Sequence, residues 1–199
     1  MAEIEPTVRL TMPCPPPGWG HRLRGLPTAL GLCCLLAARA LWGAEGTVSK
    51  EQQLKAAFLY NFTKFIEWPP SRFADGNSPI VVGVLGRNSF SDELEKIVKD
   101  RTVNGRAITV RVVTEAAEVP AVHLLFIPAA EETRLPPAAW QQATVVGESE
   151  ALAARGSTIT FVQAGGKVRF EINIAAAERS GVKISAQLQK LATAVRREP

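Results

Sequence analysis

Apolar residues recur at helical spacing after the first quarter of the chain and predict a helix over residues 48–67. Spacings of four, four and three place them on a single stripe, formed by Leu54, Phe58, Phe62 and Phe65. Ser49 is a suitable N-cap, because a serine hydroxyl accepts a hydrogen bond from a free N–H of the first turn. The helix ends before Trp68, since Pro69 and Pro70 lack an N–H and restrict the residue before them. We expect the stripe to lie in the core.

Four apolar runs in the middle of the chain predict strands, namely Ile80–Leu85, Ile108–Val113, Val122–Ile127 and Thr144–Val146. The first run has no polar alternation, which is typical of a strand buried on both faces. Helical patterns follow three of these runs, over residues 92–99, after Pro137 and over residues 148–154. Strands that alternate with helices in this way indicate a parallel sheet with helices on both sides.

Two further apolar runs predict a β-hairpin near the C-terminus. Residues 158–163 and 167–172 flank Gly165 and Gly166, and glycine supplies the positive φ of a tight turn. Asn173 follows the second strand and is placed to cap a helix over residues 174–179.

A last helix is predicted over residues 185–197, with an apolar stripe of Ile184, Leu188, Leu191 and Val195. Together the elements predict an α/β fold, a single-domain sandwich. Its sheet is mixed, mostly parallel and of five or six strands, and it is flanked by helices. The closing hairpin and the C-terminal helix complete it.

The N-terminal segment has the order of a secretory signal peptide, with positive, apolar and then small residues. Arg22 and Arg24 precede the apolar run Leu26–Ala38, whose 13 residues fall short of the about 20 needed to span a bilayer. The small residues that follow allow cleavage after Ala40 or after Ala44. The alternative is an uncleaved N-terminal anchor. A lipoprotein is disfavoured, because a bulky leucine precedes the first cysteine of the apolar run.

We therefore expect residues 1–44 to be an N-terminal extension with a signal peptide, and residues 45–199 to form the α/β domain. Acidic residues at positions 3 and 5 fit a signal peptide poorly, which favours Met12 as the true start. All three cysteines, Cys14, Cys33 and Cys34, lie in the segment that would be removed. The exported domain would then contain no thiol.

Composition excludes several classes of protein. Hydrophobic residues make up 46% of the chain and charged residues 21%, which is typical of a globular domain and not of a disordered or polytopic membrane protein. The net charge of +4 is mild and no dense basic patch occurs, so the sequence predicts no nucleic-acid partner. The two histidines, His21 and His123, are far apart, and no spacing typical of a metal site is present.

A weak catalytic pattern surrounds Ser149. Residues 147–151 nearly match the G-x-S-x-G nucleophile elbow and lie between a predicted strand and a predicted helix. The last glycine is replaced by Ala151, and His123 precedes the serine, whereas the hydrolase order places histidine last. We therefore interpret Ser149 as a helix cap and His123 as a strand-edge residue.

Two other features could carry chemistry. Glu67 and Glu171 could form an acid–base pair if they met in one cleft, although the local pattern indicates solvated positions for both. Gly86 follows a strand and precedes a helix, at an edge where open α/β sheets bind small ligands.

Two stretches of the sequence are distinctive in combination, Lys55–Pro69 and Phe170–Asn173. The second is followed at fixed positions by small and apolar residues, namely Ala175-Ala176, Gly181, Ile184-Ser185 and Leu191-Ala192. In order and spacing they resemble the YfiR-like family of bacterial periplasmic regulatory proteins, over about residues 51–195. The resemblance implies an exported α/β domain that regulates a membrane-bound signalling protein.

In that family the best-known role is repression of an inner-membrane diguanylate cyclase, which makes cyclic di-GMP; a histidine kinase is the other implied kind of partner. A homodimer is a further assembly to consider. The resemblance implies no catalytic residue, cofactor or metal. The matching motif positions Glu67, Trp68, Pro69, Glu171 and Asn173 are site candidates, whose role as structural or binding residues is open. Some relatives carry cysteines in the exported domain, and this chain does not.

Two classes of function follow from the sequence. The first is an exported, non-catalytic regulator that restrains a membrane partner. The alternative is a periplasmic ligand-binding domain or enzyme that uses the strand-end edge near Gly86.

Overall fold

The computed structural model describes residues 49–140 and 143–197 of the chain. The expectations about the signal peptide, the start at Met12 and cleavage after Ala40 or Ala44 lie outside the described residues. In chain order, the helices and strands are α1 (Lys50–Phe65), β1 (Ile66–Glu67), β2 (Ile80–Leu85), α2 (Ser89–Val98), β3 (Thr102–Val103), β4 (Arg106–Val113), β5 (Leu124–Ile127), β6 (Thr144–Gly147), α3 (Glu150–Ala154), β7 (Ile159–Ala164), β8 (Lys167–Asn173), α4 (Ile174–Arg179), β9 (Lys183–Ile184), α5 (Ala186–Leu191) and β10 (Ala194–Arg196).

Eight of the described strands form one mixed sheet in the order β10-β8-β7-β6-β5-β2-β4-β3. All neighbours in it are parallel except β7 with β8 and β3 with β4. The predicted α/β class and mostly parallel sheet are confirmed. The sheet is wider than six strands because β3 and β10 add short edge strands of two and three residues, too short to give a pattern. A separate two-stranded sheet pairs β1 with β9.

Both faces of the large sheet are covered. Side chains of α1 and α2 form one buried cluster with Val82 and Val84 of β2. Leu85 of the same strand belongs to a second cluster, which includes Leu152 of α3 and Trp140. Because alternate residues of a strand point to opposite faces, β2 is buried on both, as its continuous apolar run predicted.

An aromatic cluster joins α1 to the β7–β8 hairpin. The ring centroid of Phe62 lies 5.0 Å from that of Phe170 and 5.9 Å from that of Phe161. Phe58 lies 5.7 Å from Phe170 and 6.0 Å from Phe161. These separations are typical of favourable aromatic pairs. The cluster therefore connects residues that are more than 90 positions apart in the sequence.

Local capping and turn signals are confirmed. Ser49 accepts a hydrogen bond from the N–H of Gln52 at 3.1 Å and caps α1 in a capping box. Gly165 and Gly166 have φ of +59° and +69° and close the hairpin, a conformation that costs glycine little. Asn173 caps α4.

One member of the predicted stripe on α1 is not in the core. Leu54 is 45% exposed, while Phe62 is fully buried and Phe58 and Phe65 are partly buried. The residues of α1 that are fully covered are Ala56, Leu59, Phe62 and Thr63. The buried face is therefore rotated from the predicted stripe, because the helix also packs its small residues against its neighbours.

The predicted C-terminal helix is shorter than expected. It ends at Leu191, and residues 194–196 form β10, which pairs in parallel with β8. The N–H of Thr193 donates to the carbonyl of Phe170 at 2.9 Å, so the chain continues along the free edge of β8 instead of continuing the helix. Leu191 and Val195 are 60% and 39% exposed. The prediction that the helix continues to residue 197 was wrong.

Phe62→Ala should lower the free energy of unfolding by about 3–5 kcal/mol, because the ring is fully buried in the aromatic cluster. Urea unfolding followed by circular dichroism measures this change. The matched variant is Leu54→Ala on the same helix, for which we expect a loss below about 1 kcal/mol since that side chain is largely exposed. Equal losses in the two variants would contradict the assignment of the buried face.

Candidate functional site

The two distinctive stretches of the sequence lie next to each other in the fold. Ile66 pairs with Ile184 and Glu67 with Lys183 in the small sheet. The N–H of Ser185 donates to the carbonyl of Phe65 at 2.9 Å. Together with the aromatic cluster, these contacts bring the end of α1 against the segment that follows the hairpin.

A cleft of about 250 Å³ opens beside the first stretch, and we name it the motif cleft. It is lined by Glu67, Trp68 and Phe73, and across from them by Asn104 and Arg106. The cleft thus combines a carboxylate, a guanidinium and two aromatic rings. Such a set can hold a polar group against an apolar surface, as in small-ligand and partner sites.

His123 lies next to Phe73 of the motif cleft, and both of its ring nitrogens form hydrogen bonds. Its Nδ1 accepts a hydrogen bond from the N–H of Val81 at 3.0 Å, so this nitrogen carries no proton. Its Nε2 lies 3.1 Å from the carbonyl oxygen of Arg72, an acceptor, and therefore carries the proton. The imidazole is stacked on Phe73 with centroids 4.5 Å apart. These partners require the neutral imidazole.

The surroundings of His123 oppose its protonation. Burial is the main cause that lowers the pKa of His123, and the charges of Arg72 and Arg106 lower it further, partly offset by the bond to the Arg72 carbonyl. His123 immediately precedes β5, which lies between β2 and β6 in the sheet. His123 thus lies at the end of a strand, but the strand is an interior one and the side chain is buried.

The loop over residues 68–78 is bound to the sheet by polar contacts. The indole N–H of Trp68 donates to the carbonyl of His123 at 3.1 Å, and Arg72 donates to the carbonyl of Val122 at 2.7 Å. Arg106 donates to the carbonyls of Asp75 and Ser78 at 2.9 and 2.7 Å. The Arg106 guanidinium also lies 3.9 Å from the centroid of the Phe73 ring, a cation–π contact.

The second stretch forms a separate local arrangement at the β8–β10 edge. Glu171 and Arg196 form an ion pair of 2.6 Å across the two strands. Asn173 accepts a hydrogen bond from the N–H of Ala176 at 3.0 Å and caps α4. Glu67 lines the motif cleft and Glu171 lines a different, very small pocket, so the structure does not bring these two carboxylates into one site.

Ser149 is not paired with the histidine that the nucleophile-elbow pattern requires. Its Oγ accepts from the N–H of Leu152 at 3.2 Å, as expected of a helix cap, and donates to the carboxylate of Glu132 at 2.5 Å. Both nitrogens of His123 are engaged elsewhere. Ser149 therefore does not form the Ser–His pair of a hydrolase.

A carboxylate packs against the backbone at the edge near Gly86. The N–H of Gly86 donates to the carbonyl of Val113 at 2.9 Å and is not free to bind a ligand. Gly86 has φ of +74°, and a Cβ at this position would lie 2.6 Å from a carboxylate oxygen of Glu131. A negative charge beside Gly86 disfavours an anionic ligand there. Among the described residues, no group of three or more His, Cys, Asp or Glu could hold a metal ion.

The sequence identified part of this region and missed the rest. Glu67, Trp68 and Pro69 were found through the family resemblance, and Pro69 leads into a short 3-10 turn at Pro70–Arg72. Arg72, Phe73 and Arg106 were missed, because a single basic or aromatic residue in a loop carries no periodic signal. Their contacts with His123 and its neighbours span about 30 to 50 residues in the sequence, so they arise only from the tertiary fold.

Residues 52–193 match the protein family described as YfiR/HmsC-like. No curated protein is significantly similar to the chain in sequence. Among solved structures, the chain is similar to a conserved domain protein from Vibrio cholerae O1 biovar El Tor, at 12% identity and a TM-score of 0.45. It is also similar to an ABC domain in complex with L-Trp from Streptococcus pneumonia, at 12% identity and a TM-score of 0.42.

Each of these two similarities covers 73% of this chain and 60% of the other chain. The chain therefore spans less than two thirds of the length of these two proteins. At such TM-scores neither protein informs the function of this one.

The free energy of unfolding should fall as the pH is lowered, because His123 is held neutral in the folded protein. Its folded pKa is lowered, so the unfolded chain binds a proton first and the stability contribution of the neutral ring is complete only above about pH 6.5. Below that pH, down to the folded pKa, stability should fall by up to about 1.4 kcal/mol per pH unit. Urea unfolding of residues 45–199 at pH 5 to 8 measures the slope, since His123 is the only histidine in that segment.

His123→Asn is the matched variant, because its amide oxygen keeps an acceptor for Val81 but does not titrate. Its stability should be independent of pH between 5.5 and 7. If the His123→Asn variant kept the same dependence of the free energy of unfolding on pH, another titratable group would be its cause.

Asn173→Ala should lower the free energy of unfolding by about 1 kcal/mol, because the first turn of α4 loses its side-chain cap. Asn173→Ser keeps a capping oxygen and should remain within a few tenths of a kcal/mol of the original protein. Urea unfolding compares the three proteins. If the alanine and serine variants were equally stable, capping would not explain this motif position.

Proposed function

The chain belongs to the YfiR/HmsC-like family, and we propose that it is an exported, non-catalytic regulator that binds and restrains an inner-membrane signalling protein. The observation that carries the proposal is the family match over residues 52–193, because the members of this family are known as periplasmic regulators. We further propose that the partner is a diguanylate cyclase, so that binding lowers cyclic di-GMP.

A role in binding rather than in catalysis is supported by the chemistry of the polar side chains. The candidate nucleophile Ser149 is a helix cap bound to a carboxylate. His123 is held neutral by two backbone groups, and the carboxylates of Glu67 and Glu171 line different pockets. These groups therefore form neither a Ser–His pair nor a pair of carboxylates in one cleft.

We propose structural roles for the motif positions. Asn173 caps α4, Glu171 pairs with Arg196, and Trp68 binds the loop that follows α1 to the sheet. Pro69 sets the extended entry to the 3-10 turn, and Glu67 remains an exposed side chain at the motif cleft. Glu67 is then the motif residue best placed to contact a partner or ligand directly.

Export is proposed from the sequence of the first 44 residues, with cleavage after Ala40 or Ala44 and residues 45–199 as the exported domain. Among the described residues, no helix is long and apolar enough to cross a membrane. An exported domain without cysteine could not be switched by an internal disulfide.

Restraint of a membrane partner requires different affinities for its two states. The regulator shifts the partner toward inactivity only by the ratio of its affinities for the inactive and active states. A preference of about 1.4 kcal/mol changes that equilibrium by about tenfold. Repression should therefore rise with the regulator concentration and then saturate.

Deleting the gene in its native host should raise cyclic di-GMP, because the restraint on the cyclase is lost. The increase should disappear when the partner gene is also deleted, and titrated expression of the protein should restore a low, saturating level. Mass spectrometry of nucleotide extracts measures cyclic di-GMP. Oxidising or reducing conditions should not change the protein's effect, since the exported domain has no thiol.

If deletion leaves cyclic di-GMP unchanged and no membrane protein co-purifies, the proposed function is wrong. If a histidine kinase co-purifies and cyclic di-GMP does not change, the regulatory class stands and the cyclase assignment is wrong.

A further inference from the structure

A groove of about 440 Å³ lies between the N-terminal half of α1 and the end of the β7–β8 hairpin, and we name it the hairpin groove. Its apolar part consists of Leu54, Phe58 and Val168. Its basic part consists of Lys50, Lys167 and Arg169. The hairpin groove shares none of the residues that line the motif cleft.

The apolar part combines an exposed side chain with a firm base. Leu54 is 45% exposed, one of three large hydrophobic side chains that are exposed in the described part of the chain. Phe58 beside it is held by Phe62, Phe161 and Phe170, at centroid distances of 5.7–6.0 Å. Val168 is 8% exposed and belongs to the same core cluster. An apolar group placed on Leu54 would therefore extend an ordered core rather than fill a mobile loop.

The basic part has an excess of positive charge. Lys50, Lys167 and Arg169 are exposed, and none of them forms an ion pair with a residue in the described ranges. The acidic residue of the groove, Glu51, is already bound by Lys55 at 2.6 Å, which lowers the pKa of Glu51. The groove therefore contains three cations without an ion-pair partner among the described residues, and its one carboxylate is already paired with Lys55.

The helix dipole adds to this potential. Lys50 is the first residue of α1, where the partial charge of the helix end is positive. A lysine at this position is electrostatically unfavourable for the isolated helix. A carboxylate brought into the groove would relieve that repulsion and interact with the helix end and the lysine at once.

We propose that the hairpin groove docks an acidic segment of a protein partner. An apolar side chain of that segment would pack on Leu54 and Phe58. Flanking Asp or Glu side chains would face Lys50, Lys167 and Arg169. The partner is the membrane signalling protein of the proposed function, on which this inference rests. A symmetric dimer through this groove fits poorly, because the same basic side chains of both copies would meet and the like charges would repel.

Site-specific photo-crosslinking in cells tests the surface directly. The photoreactive residue p-benzoylphenylalanine replaces Leu54 in the full chain, and the control carries it at Lys96, an exposed position on α2. We expect an adduct from position 54 with a membrane protein, in which the crosslinked peptide is rich in Asp and Glu. Adducts only with lipid or with a second copy of this chain, or an adduct from position 96 alone, would overturn the proposal.

Charge reversal tests the electrostatic part. Lys167→Glu combined with Arg169→Glu should raise the amount of protein needed for half-maximal lowering of cyclic di-GMP by at least about tenfold, since the acidic partner is repelled. The matched control reverses Lys96 near the end of α2 and Lys99, the residue after α2, and should act like the original protein. All four substitutions lie at exposed positions, so urea unfolding should show a loss of stability no larger than about 1 kcal/mol per substitution.

The outcomes separate the two proposals. If the groove variant represses as well as the original protein, the docking surface is wrong and the regulatory function stands. If the original protein itself does not change cyclic di-GMP, the proposed cyclase regulation is wrong, and the crosslink at position 54 alone decides the docking surface.

Discussion

The packing of α1 against the β7–β8 hairpin is the interaction on which the rest of the structure depends. Phe58 and Phe62 of the helix and Phe161 and Phe170 of the hairpin form one aromatic cluster, with the closest centroids 5.0 Å apart. A buried aromatic side chain removes a large apolar area from water, and ring pairs add about 0.5–1.5 kcal/mol beyond that. The contact joins α1 to the last third of the chain. This face of the sheet is therefore covered only when α1 has packed against the β7–β8 hairpin.

This contact also gives a physical reason for the two sequence stretches that carry the family resemblance. The first contains Phe58 and Phe62, and the second contains Phe170, so the two meet in the aromatic cluster. Other residues of the two stretches form further contacts near the aromatic cluster. The strand pairing of Ile66 with Ile184 lies at one end, and the cap made by Asn173 lies at the start of α4.

The motif cleft and the hairpin groove lie at opposite ends of α1. The motif cleft is built at its C-terminal end, where the loop over residues 68–78 is bound to the sheet and His123 is kept neutral. The hairpin groove is built at its N-terminal end, where basic side chains surround exposed Leu54. A helix that is rigidly packed in its middle holds both regions in fixed positions, which suits a protein that acts by binding one state of a partner better than another.

Local sequence patterns determined the elements whose stabilising partners are close in the chain. Gly165 and Gly166 closed the hairpin and Asn173 capped α4, because turns and caps depend on neighbouring residues. The prolines did not set the end of α1, which ends at Phe65 because Ile66 and Glu67 pair with β9. The uninterrupted run Ile80–Leu85 likewise identified a strand buried on both faces. The family resemblance found the motif positions without indicating what they contact.

Only the tertiary structure decided the features that depend on distant partners. The edge of β8 turned residues 194–196 from the predicted helix into a strand, because the carbonyl of Phe170 was available there to the N–H of Thr193. Packing on the sheet left Leu54 exposed although its spacing fitted the helical stripe. The neutral ring of His123 and its bond to Arg72 required residues 51 positions apart to meet. Spacing reports which face of an element is apolar, whereas the fold decides how much of that face another element covers.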